Sequence, residues 1–267
     1  MKVLLTSFFA LLTFSSASIQ ISKSGPVYST NVIDGVISIR GEAPYIVSLQ
    51  NIGGHYCAGS IIYENWVLTS AHCLTYPNIK VVAGLFNRFD LTGTQIRSIS
   101  NFSHIIPHPK AFILNNKTSV DNSKKVLLLK PINSLVLSNP VNSILLPDAN
   151  FNFSGDGTVY GWGTMRSGNM SDTLQKLDTG VLEYPQCKKE LPVSAPLAPI
   201  NICSFGKGSN KYEGACNGDS GGPLVQKGLG GTVLIGLVSW GYIPCETTPY
   251  PSVYTSTKQY RNWIDTK

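Results

Sequence analysis

The chain is poor in charged residues, which make up 13% of its 267 residues, whereas soluble domains average about 25%. It has no extended block of Lys or Arg. After the mostly apolar residues 3–14, no apolar run approaches the ~20 residues of a membrane-spanning helix. The formal net charge of +6 includes Lys2 and Lys23. We therefore expect no nucleic-acid partner and no membrane anchor in the mature protein.

The N-terminus has the pattern of a secretory signal peptide. Lys2 supplies a positive start, residues 3–14 are mostly apolar, and Ser15-Ser16-Ala17 offers the small residues of a cleavage site. The pattern predicts a signal peptide over residues 1–17 and a secreted, extracellular protein.

Cysteine usage agrees with secretion, because an even number of cysteines in an oxidising compartment predicts disulfides. No Cys-x-x-Cys spacing occurs, and the only adjacent Cys/His pair is His72-Cys73, so we expect no metal site. The sequence implies no cofactor. Six cysteines allow 15 pairings, among which spacing alone does not choose. The cysteines are Cys57, Cys73, Cys187, Cys203, Cys216 and Cys245. Four Asn-x-Ser/Thr sequons, at Asn101, Asn116, Asn152 and Asn169, suit surface loops of a secreted chain.

Strand patterns dominate the chain, and only residues 257–266 have helical spacing of apolar side chains. Strands are predicted over residues 45–50, 56–62, 66–70, 79–83, 95–100, 126–129, 158–162, 174–182, 232–240 and 252–255. No repeat interrupts this all-β pattern, and residues 131–149, rich in Pro, Asn and Ser, are the best candidate for a link between two halves.

Two short motifs have the chemistry of acyl transfer. Thr69-Ser70-Ala71-His72-Cys73 ends a predicted strand, and Gly218-Asp219-Ser220-Gly221-Gly222-Pro223 forms a glycine-rich loop before another. Such a reaction needs a nucleophile, a base and donors for an oxyanion. Ser220 is the candidate nucleophile, His72 the candidate base, and the amides of Gly218 and Ser220 the candidate oxyanion hole.

With these two motifs the chain resembles the chymotrypsin/trypsin family of serine proteases over residues 32–267, with the three-disulfide pattern of insect trypsins. Further matching segments are Val32-Ile33-Asp34-Gly35, Tyr160-Gly161-Trp162-Gly163, Ser239-Trp240-Gly241, Pro251-Ser252-Val253-Tyr254 and the terminal helix with Trp263.

The resemblance implies an all-β fold of two six-stranded antiparallel β-barrels with a C-terminal α-helix and a site between the barrels. It also implies a propeptide over residues 18–31, a peptidase domain over 32–267, and a peptide or protein substrate that pairs with Ser239, Trp240 and Gly241. We expect a monomer. The implied disulfides are Cys57–Cys73, Cys187–Cys203 and Cys216–Cys245.

The first departure from the family pattern concerns the acid that orients the base. The family has aspartate at the head of a strand where this chain has Lys125, followed by Val-Leu-Leu-Leu-Lys. Loss of that carboxylate to asparagine lowers turnover about 10⁴-fold, and a lysine would also oppose the imidazolium of His72. Asp121, four residues upstream, is the nearest substitute, with a solvated loop aspartate as the alternative interpretation. We predict a crippled triad.

A second departure lies at the activation site. Family members are usually cut after Arg or Lys, and the new ammonium pairs with the acid before the serine, here Asp219. Asn31 precedes Val32, so a trypsin-like activator is not expected to cut there.

The third departure concerns substrate preference. Gly214 stands where trypsin-like members have an aspartate, Gly241 leaves the pocket wall open, and Ser252 narrows the pocket slightly. An uncharged pocket predicts cleavage after aromatic or medium apolar residues. We interpret Glu213 and Glu246 as solvated loop carboxylates.

Two functions therefore stay open at this point. One is a secreted serine endopeptidase of low activity; the other is an inactive serine protease homologue that serves as an extracellular binding module. The intact Ser220 and His72 favour the first, while Lys125 and Asn31 favour the second.

Overall fold

The structure is a computed structural model that describes residues 35–74, 78–109, 126–153, 155–207, 212–245 and 247–267. The predicted signal peptide and propeptide lie outside the described residues. Within them, no helix is long and apolar enough to cross a membrane.

Fourteen β-strands dominate the described part of the chain. In order they are β1 Val36–Ile37, β2 Ile46–Asn51, β3 Gly54–Tyr63, β4 Trp66–Ser70, β5 Ile79–Ala83, β6 Gln95–Ile99, β7 Ile105–Pro107, β8 Val126–Leu129, β9 Gly155–Gly161, β10 Gln175–Leu182, β11 Asn201–Gly206, β12 Pro223–Gly228, β13 Gly231–Trp240 and β14 Ser252–Ser256. The α-helices are α1 Tyr184–Glu190 and α2 Arg261–Ile264, and short 3₁₀ turns span Ala71–Cys73, Phe102–His104 and Lys258–Tyr260.

The strands form two antiparallel sheets that follow each other along the chain. The first has the order β6-β5-β2-β3-β4-β8-β7, and the second β1-β10-β11-β14-β13-β12-β9. Pairing of β9 with β10 closes the second sheet into a six-stranded barrel with β1 attached outside. The first is a curled sheet that strand pairing leaves open within the described residues. The all-β fold predicted by the resemblance is confirmed, with only one of the two barrels closed.

Strands that lie between the two halves are buried on both faces. In β8, Leu127 and Leu129 point into the first sheet, whereas Val126 and Leu128 belong to the core shared with the second. Successive side chains of a strand point to opposite faces, so this strand has an uninterrupted apolar sequence. The shared core includes Leu237 of β13 and packs the two halves against each other. This packing determines the position of the cleft between them.

Several helices and strands differ from the sequence prediction or were not predicted. The predicted helix over 257–266 is shorter, a 3₁₀ turn followed by the single turn of α2. Helix α1 was missed; the Gln186 side chain accepts a hydrogen bond from the Glu183 amide at 3.0 Å and so caps its first turn. The strands β1, β7 and β11 were also missed, because they are short or lack clear alternation. Strand β12 was expected only as a strand of unstated bounds after the glycine-rich loop.

The cysteines pair as the resemblance implied: Cys57–Cys73, Cys187–Cys203 and Cys216–Cys245. The first bridge ties β3 to the 3₁₀ turn that holds His72. The third ties the loop before Ser220 to the loop after β13. Two of the three bridges therefore brace segments that contain candidate site residues.

Candidate active site

His72 lies on the 3₁₀ turn at the end of β4, where the first half meets the second. Ser70 Oγ donates a 2.9 Å hydrogen bond to the Val238 carbonyl of β13, which ties this strand end to the second barrel. His72 is exposed, and a ring nitrogen lies within 4.8 Å of the sulfurs of Cys57 and Cys73. Those sulfurs form a disulfide, so this group does not bind a metal.

Ser220 is half-buried on a loop that is anchored to both halves. Its carbonyl accepts a 2.8 Å hydrogen bond from the Ala58 amide of β3, and the Gly221 amide donates to Val238 at 2.9 Å. The Cys73 sulfur lies 3.4 Å from the Ser220 carbonyl oxygen. The residue after His72 is thus in contact with the Ser220 backbone, and the two predicted motifs come together.

Glycine is required directly after Ser220. Gly221 has φ of +74°, and a Cβ there would lie 2.1 Å from Thr69 Oγ1 and 2.6 Å from the Ala58 carbonyl oxygen. Any side chain at this position would push the serine loop away from β3 and β4.

The amides of Gly218 and Ser220 are held in direction by hydrogen bonds to the carbonyls of the preceding residues, Asn217 and Asp219, which belong to the same peptide groups. The Asn217 carbonyl accepts hydrogen bonds from the Thr164 amide at 2.7 Å and from the Thr164 hydroxyl at 3.1 Å. The Asp219 carbonyl accepts from the Gly222 amide at 2.8 Å.

In a planar trans peptide the N–H points opposite to the C=O, so the Gly218 and Ser220 amides point away from these partners. Neither amide donates a hydrogen bond to another described residue. Two adjacent, fixed and unused donors form a site suited to a negatively charged oxygen.

Asp219 has no solvent exposure and supports this loop from inside. One carboxyl oxygen accepts from the Gly163 amide at 2.7 Å and the other from the Cys216 amide at 2.9 Å. Burial raises the pKa of Asp219 to about 6, because these two backbone bonds offset only part of the lost hydration.

The glycines around Trp162 make room for this carboxylate. A Cβ on Gly161 would lie 1.9 Å from one Asp219 carboxyl oxygen, and a Cβ on Gly163 would lie 2.2 Å from the other. The two glycines of the motif Tyr160-Gly161-Trp162-Gly163 therefore leave the space that the Asp219 carboxylate occupies, a role that the sequence did not indicate.

Gly163→Ala is expected to lower the free energy of unfolding by about 3 kcal/mol, since the carboxylate must leave its donors or the loop must shift. Gly180→Ala is the matched control, because a Cβ at this β10 position meets nothing within 4 Å. Urea unfolding of both variants gives the comparison. Equal stabilities would contradict this account of the motif.

His55 is a buried polar residue of β3 that contacts the serine loop and that sequence reasoning missed. Its Nε2 lies 3.0 Å from the Gly218 carbonyl and its Nδ1 lies 2.8 Å from Ser48 Oγ. Burial lowers the pKa of His55 to about 4, so the ring is neutral near pH 7. Because a carbonyl only accepts, Nε2 has the proton and donates to Gly218, while Nδ1 accepts from Ser48. A lone histidine in a strand gives no sequence signal for this contact.

A narrow cavity of about 20 Å³ lies beside the serine loop, with room for about one water molecule. Its lining includes Gly214, Gly241 and Ser252, three of the residues that the sequence analysis assigned to a pocket. The Ser252 hydroxyl accepts from the Ala215 amide at 3.0 Å and would lie 2.4 Å from a Cβ on Gly214. Ser252 thus fills space that an acid at position 214 would need.

Glu213 also lines this cavity and is half-buried, so its interpretation as a solvated loop carboxylate is corrected. Its side chain packs against the backbone of Gly206, where an added Cβ would lie 2.0 Å from a carboxyl oxygen. The glycine at the end of β11 therefore makes the burial of Glu213 possible.

The segment Ser239–Trp240–Gly241 ends β13 beside the same cavity. A bulge between Val238 and Trp240 leaves Ser239 outside the ladder with β14. Gly241 is exposed, and the Trp240 ring packs edge-on against Tyr242 at 6.2 Å between centroids. Four predicted residues, Val32, Asp121, Lys125 and Glu246, lie outside the described part of the chain.

Comparison with known proteins gives consistent matches along nearly the whole chain. A family model described as Trypsin matches residues 32–264. The chain is 40% identical over 268 residues to Lectizyme of Glossina austeni, which covers 97% of this chain and 96% of that protein. It is 36% identical to Putative trypsin-6 of Homo sapiens, with 87% of each chain covered, and 35% identical to Anionic trypsin of Bos taurus, also with 87% of each covered.

Proposed function

Because the chain belongs to the trypsin family of serine proteases, we propose that it is a secreted serine endopeptidase with an uncharged primary specificity pocket. Proteases of this family act on peptide or protein substrates. The observation that supports the proposal most is the pair of fixed, unused amides at Gly218 and Ser220. A protein that only bound other molecules would have no need for this arrangement.

The proposed reaction runs through an acyl-enzyme. Ser220 Oγ attacks the substrate carbonyl while His72 accepts the hydroxyl proton, and the amides of Gly218 and Ser220 bind the oxyanion. Collapse of this intermediate breaks the C–N bond, and the protonated His72 gives its proton to the leaving amine. Water then attacks the acyl-enzyme with His72 as base, which releases the acid and restores Ser220.

The proposed activity is low, since the position of the orienting aspartate is occupied by Lys125. Strand β8 begins at Val126, which pairs with Ser70, two residues before His72. Lys125 is the residue that precedes Val126 in the sequence. Asp219 provides a second level of control over the activity, because no cation among the described residues pairs with this buried carboxylate, which favours its protonation. A free ammonium at Val32 would neutralise it after cleavage at Asn31.

The test is reaction with a fluorophosphonate, which labels only activated serines. We expect labelling at Ser220 that is lost in Ser220→Ala and in His72→Ala and retained in Ser138→Ala, a change at an exposed loop serine. Mass spectrometry of the labelled peptide identifies the serine. No labelling of protein that starts at Val32 would refute the endopeptidase proposal and favour the inactive homologue that acts as an extracellular binding module.

Substrate preference follows from the floor of the pocket, where Gly214 offers no carboxylate; the Glu213 carboxylate on the same lining packs against Gly206. We predict cleavage after aromatic or medium apolar residues. Removing Ser252 Oγ while adding a carboxylate, in Gly214→Asp with Ser252→Gly, is expected to shift the preference to Arg and Lys. Ser252→Gly alone is the control and is expected to improve cleavage after aromatic residues. A peptide library profile that favours Arg in the unaltered protein would contradict the prediction.

A further inference from the structure

Methionine is rare in this chain, and both methionines that follow the predicted signal peptide lie in the loop between β9 and β10. They are Met165 and Met170, and each is half-buried. This loop borders the serine loop, since the amide and the hydroxyl of Thr164 both donate to the Asn217 carbonyl. The methionines are therefore concentrated next to the segment that supplies the proposed oxyanion donors.

The Met170 side chain packs directly on Gly218. A Cβ added to Gly218 would lie 3.3 Å from Met170 Cε and 3.4 Å from the Met170 sulfur. The methylthio group thus occupies the space that a side chain at position 218 would need, and it covers the Cα of this glycine. Because Gly218 has φ of +99°, its backbone has a conformation that glycine adopts readily. A larger group at the Met170 sulfur would therefore press on the backbone of the serine loop.

The backbone on both sides of this contact is held in place. Met170 pairs with Thr164 in an isolated antiparallel bridge, and the Met170 carbonyl accepts a 3.2 Å hydrogen bond from Arg88. On the other side, the Gly218 carbonyl lies 3.0 Å from His55 Nε2. Because both backbones are anchored, a change at the Met170 sulfur strains the hydrogen bonds that fix the direction of the Gly218 amide.

The chemistry that changes a thioether is mild oxidation. Peroxide meets no free thiol among the cysteines, because all six form disulfides. The sulfur lone pair of a methionine attacks one oxygen of hydrogen peroxide, the O–O bond breaks, and water leaves after a proton shift. The sulfur loses two electrons and the peroxide gains them. The sulfoxide is polar and bulkier at the sulfur, so it disrupts the apolar contacts that methionine makes.

We propose that Met170 is an oxidation site through which hydrogen peroxide lowers the proposed activity. Its sulfoxide displaces Gly218 and, with it, the amide that binds the oxyanion. Half-burial of Met170 leaves the side chain partly open to peroxide from solvent. The inference rests on the proposed function, because it concerns the regulation of the same site. Displacement of the serine loop does not require catalysis, so it is measured separately.

The test is treatment of the secreted protein with hydrogen peroxide, followed by peptide mass mapping, hydrogen exchange and fluorophosphonate labelling. We expect Met170 to gain one oxygen atom. The amides of Gly221 and Gly222 are hydrogen-bonded in the serine loop, and in the oxidised parent we expect them to exchange about tenfold faster. The rate of labelling at Ser220 is expected to fall about fivefold, because one oxyanion donor is misplaced.

Three variants separate Met170 from general oxidative damage. Met170→Leu keeps an apolar side chain of similar volume without sulfur, so peroxide is expected to change neither its exchange nor its labelling. Met165→Leu is the matched control, the same change in the same loop, and is expected to respond to peroxide like the parent. Met170→Gln places a polar side chain against Gly218 and is expected to show the faster exchange without peroxide.

Unchanged exchange in a parent whose Met170 is fully oxidised overturns the proposal. A peroxide response that persists in Met170→Leu, or that is lost in Met165→Leu, overturns it as well, and so does resistance of Met170 to peroxide that oxidises Met165. If fluorophosphonate does not label the parent before oxidation, the peptidase proposal fails on its own. The exchange of Gly221 and Gly222 then decides whether Met170 controls the loop.

Discussion

Lys125→Asp is expected to raise peptidase turnover by two to four orders of magnitude, the largest effect proposed for this protein. A carboxylate at this position would hold the imidazole of His72 in its productive tautomer and stabilise the imidazolium. Loss of this acid costs about 10⁴-fold in serine proteases, equal to about 5 kcal/mol of barrier. The measurement is turnover of a peptide substrate by protein that starts at Val32.

Lys130→Asp is the matched control, since Lys130 follows the other end of the same strand, where it is exposed and lies 5.4 Å from the Trp66 ring. It is expected to leave turnover unchanged. If the parent protein already cleaves as fast as ordinary trypsins, the proposed defect does not exist. In that case Asp121→Asn should abolish activity if Asp121 replaces the missing acid.

Two buried groups next to Gly218 are expected to oppose each other in their effect on stability between about pH 4 and pH 6.5. The pKa of Asp219 is raised from 3.8 to about 6 and that of His55 is lowered from 6.5 to about 4, both by burial. Each of these two differences between the folded and the unfolded chain corresponds to about 3 kcal/mol of stability across its pH window.

The two signs are opposite. Between pH 4 and 6 native Asp219 keeps a proton that the unfolded chain loses, so the free energy of unfolding falls as pH rises. Between pH 4 and 6.5 the unfolded chain protonates His55 while the native ring stays neutral, so the free energy of unfolding rises with pH. The contributions of the intact pair nearly cancel.

A variant that lacks one of the two groups should show the pH dependence of the free energy of unfolding that the other group causes. In Asp219→Asn the free energy of unfolding is expected to rise by about 3 kcal/mol from pH 4 to 6.5, and in His55→Gln to fall by about as much from pH 4 to 6. Urea unfolding of uncut protein at several pH values measures both slopes. The double variant is the control, with the shallow dependence of the parent. Single variants with slopes parallel to the parent would show that these groups do not titrate as their burial indicates.

Sequence patterns predicted more of the fold than of the site. Strands with dense β-branched and apolar residues, such as β4, β5 and β8, were predicted with the bounds that the structure has. Their signal is local, since burial on one or both faces determines the spacing of apolar residues. The short β7 and helix α1 were missed because tertiary contacts stabilise them more than their own sequence does.

The amino-acid sequence by itself determined which residues are the candidates for the proposed acyl transfer, because the candidate nucleophile, base and glycine loop occupy two short motifs around His72 and Ser220. Its lysine at position 125 likewise determined where the activity is expected to fail. Only the tertiary structure decided how the loop is held: the buried Asp219 against Gly163, the neutral His55 against the Gly218 carbonyl, and the direction of two amide groups. The reason is physical, since burial and hydrogen-bond direction arise between segments far apart in the chain and leave no periodic trace in either segment.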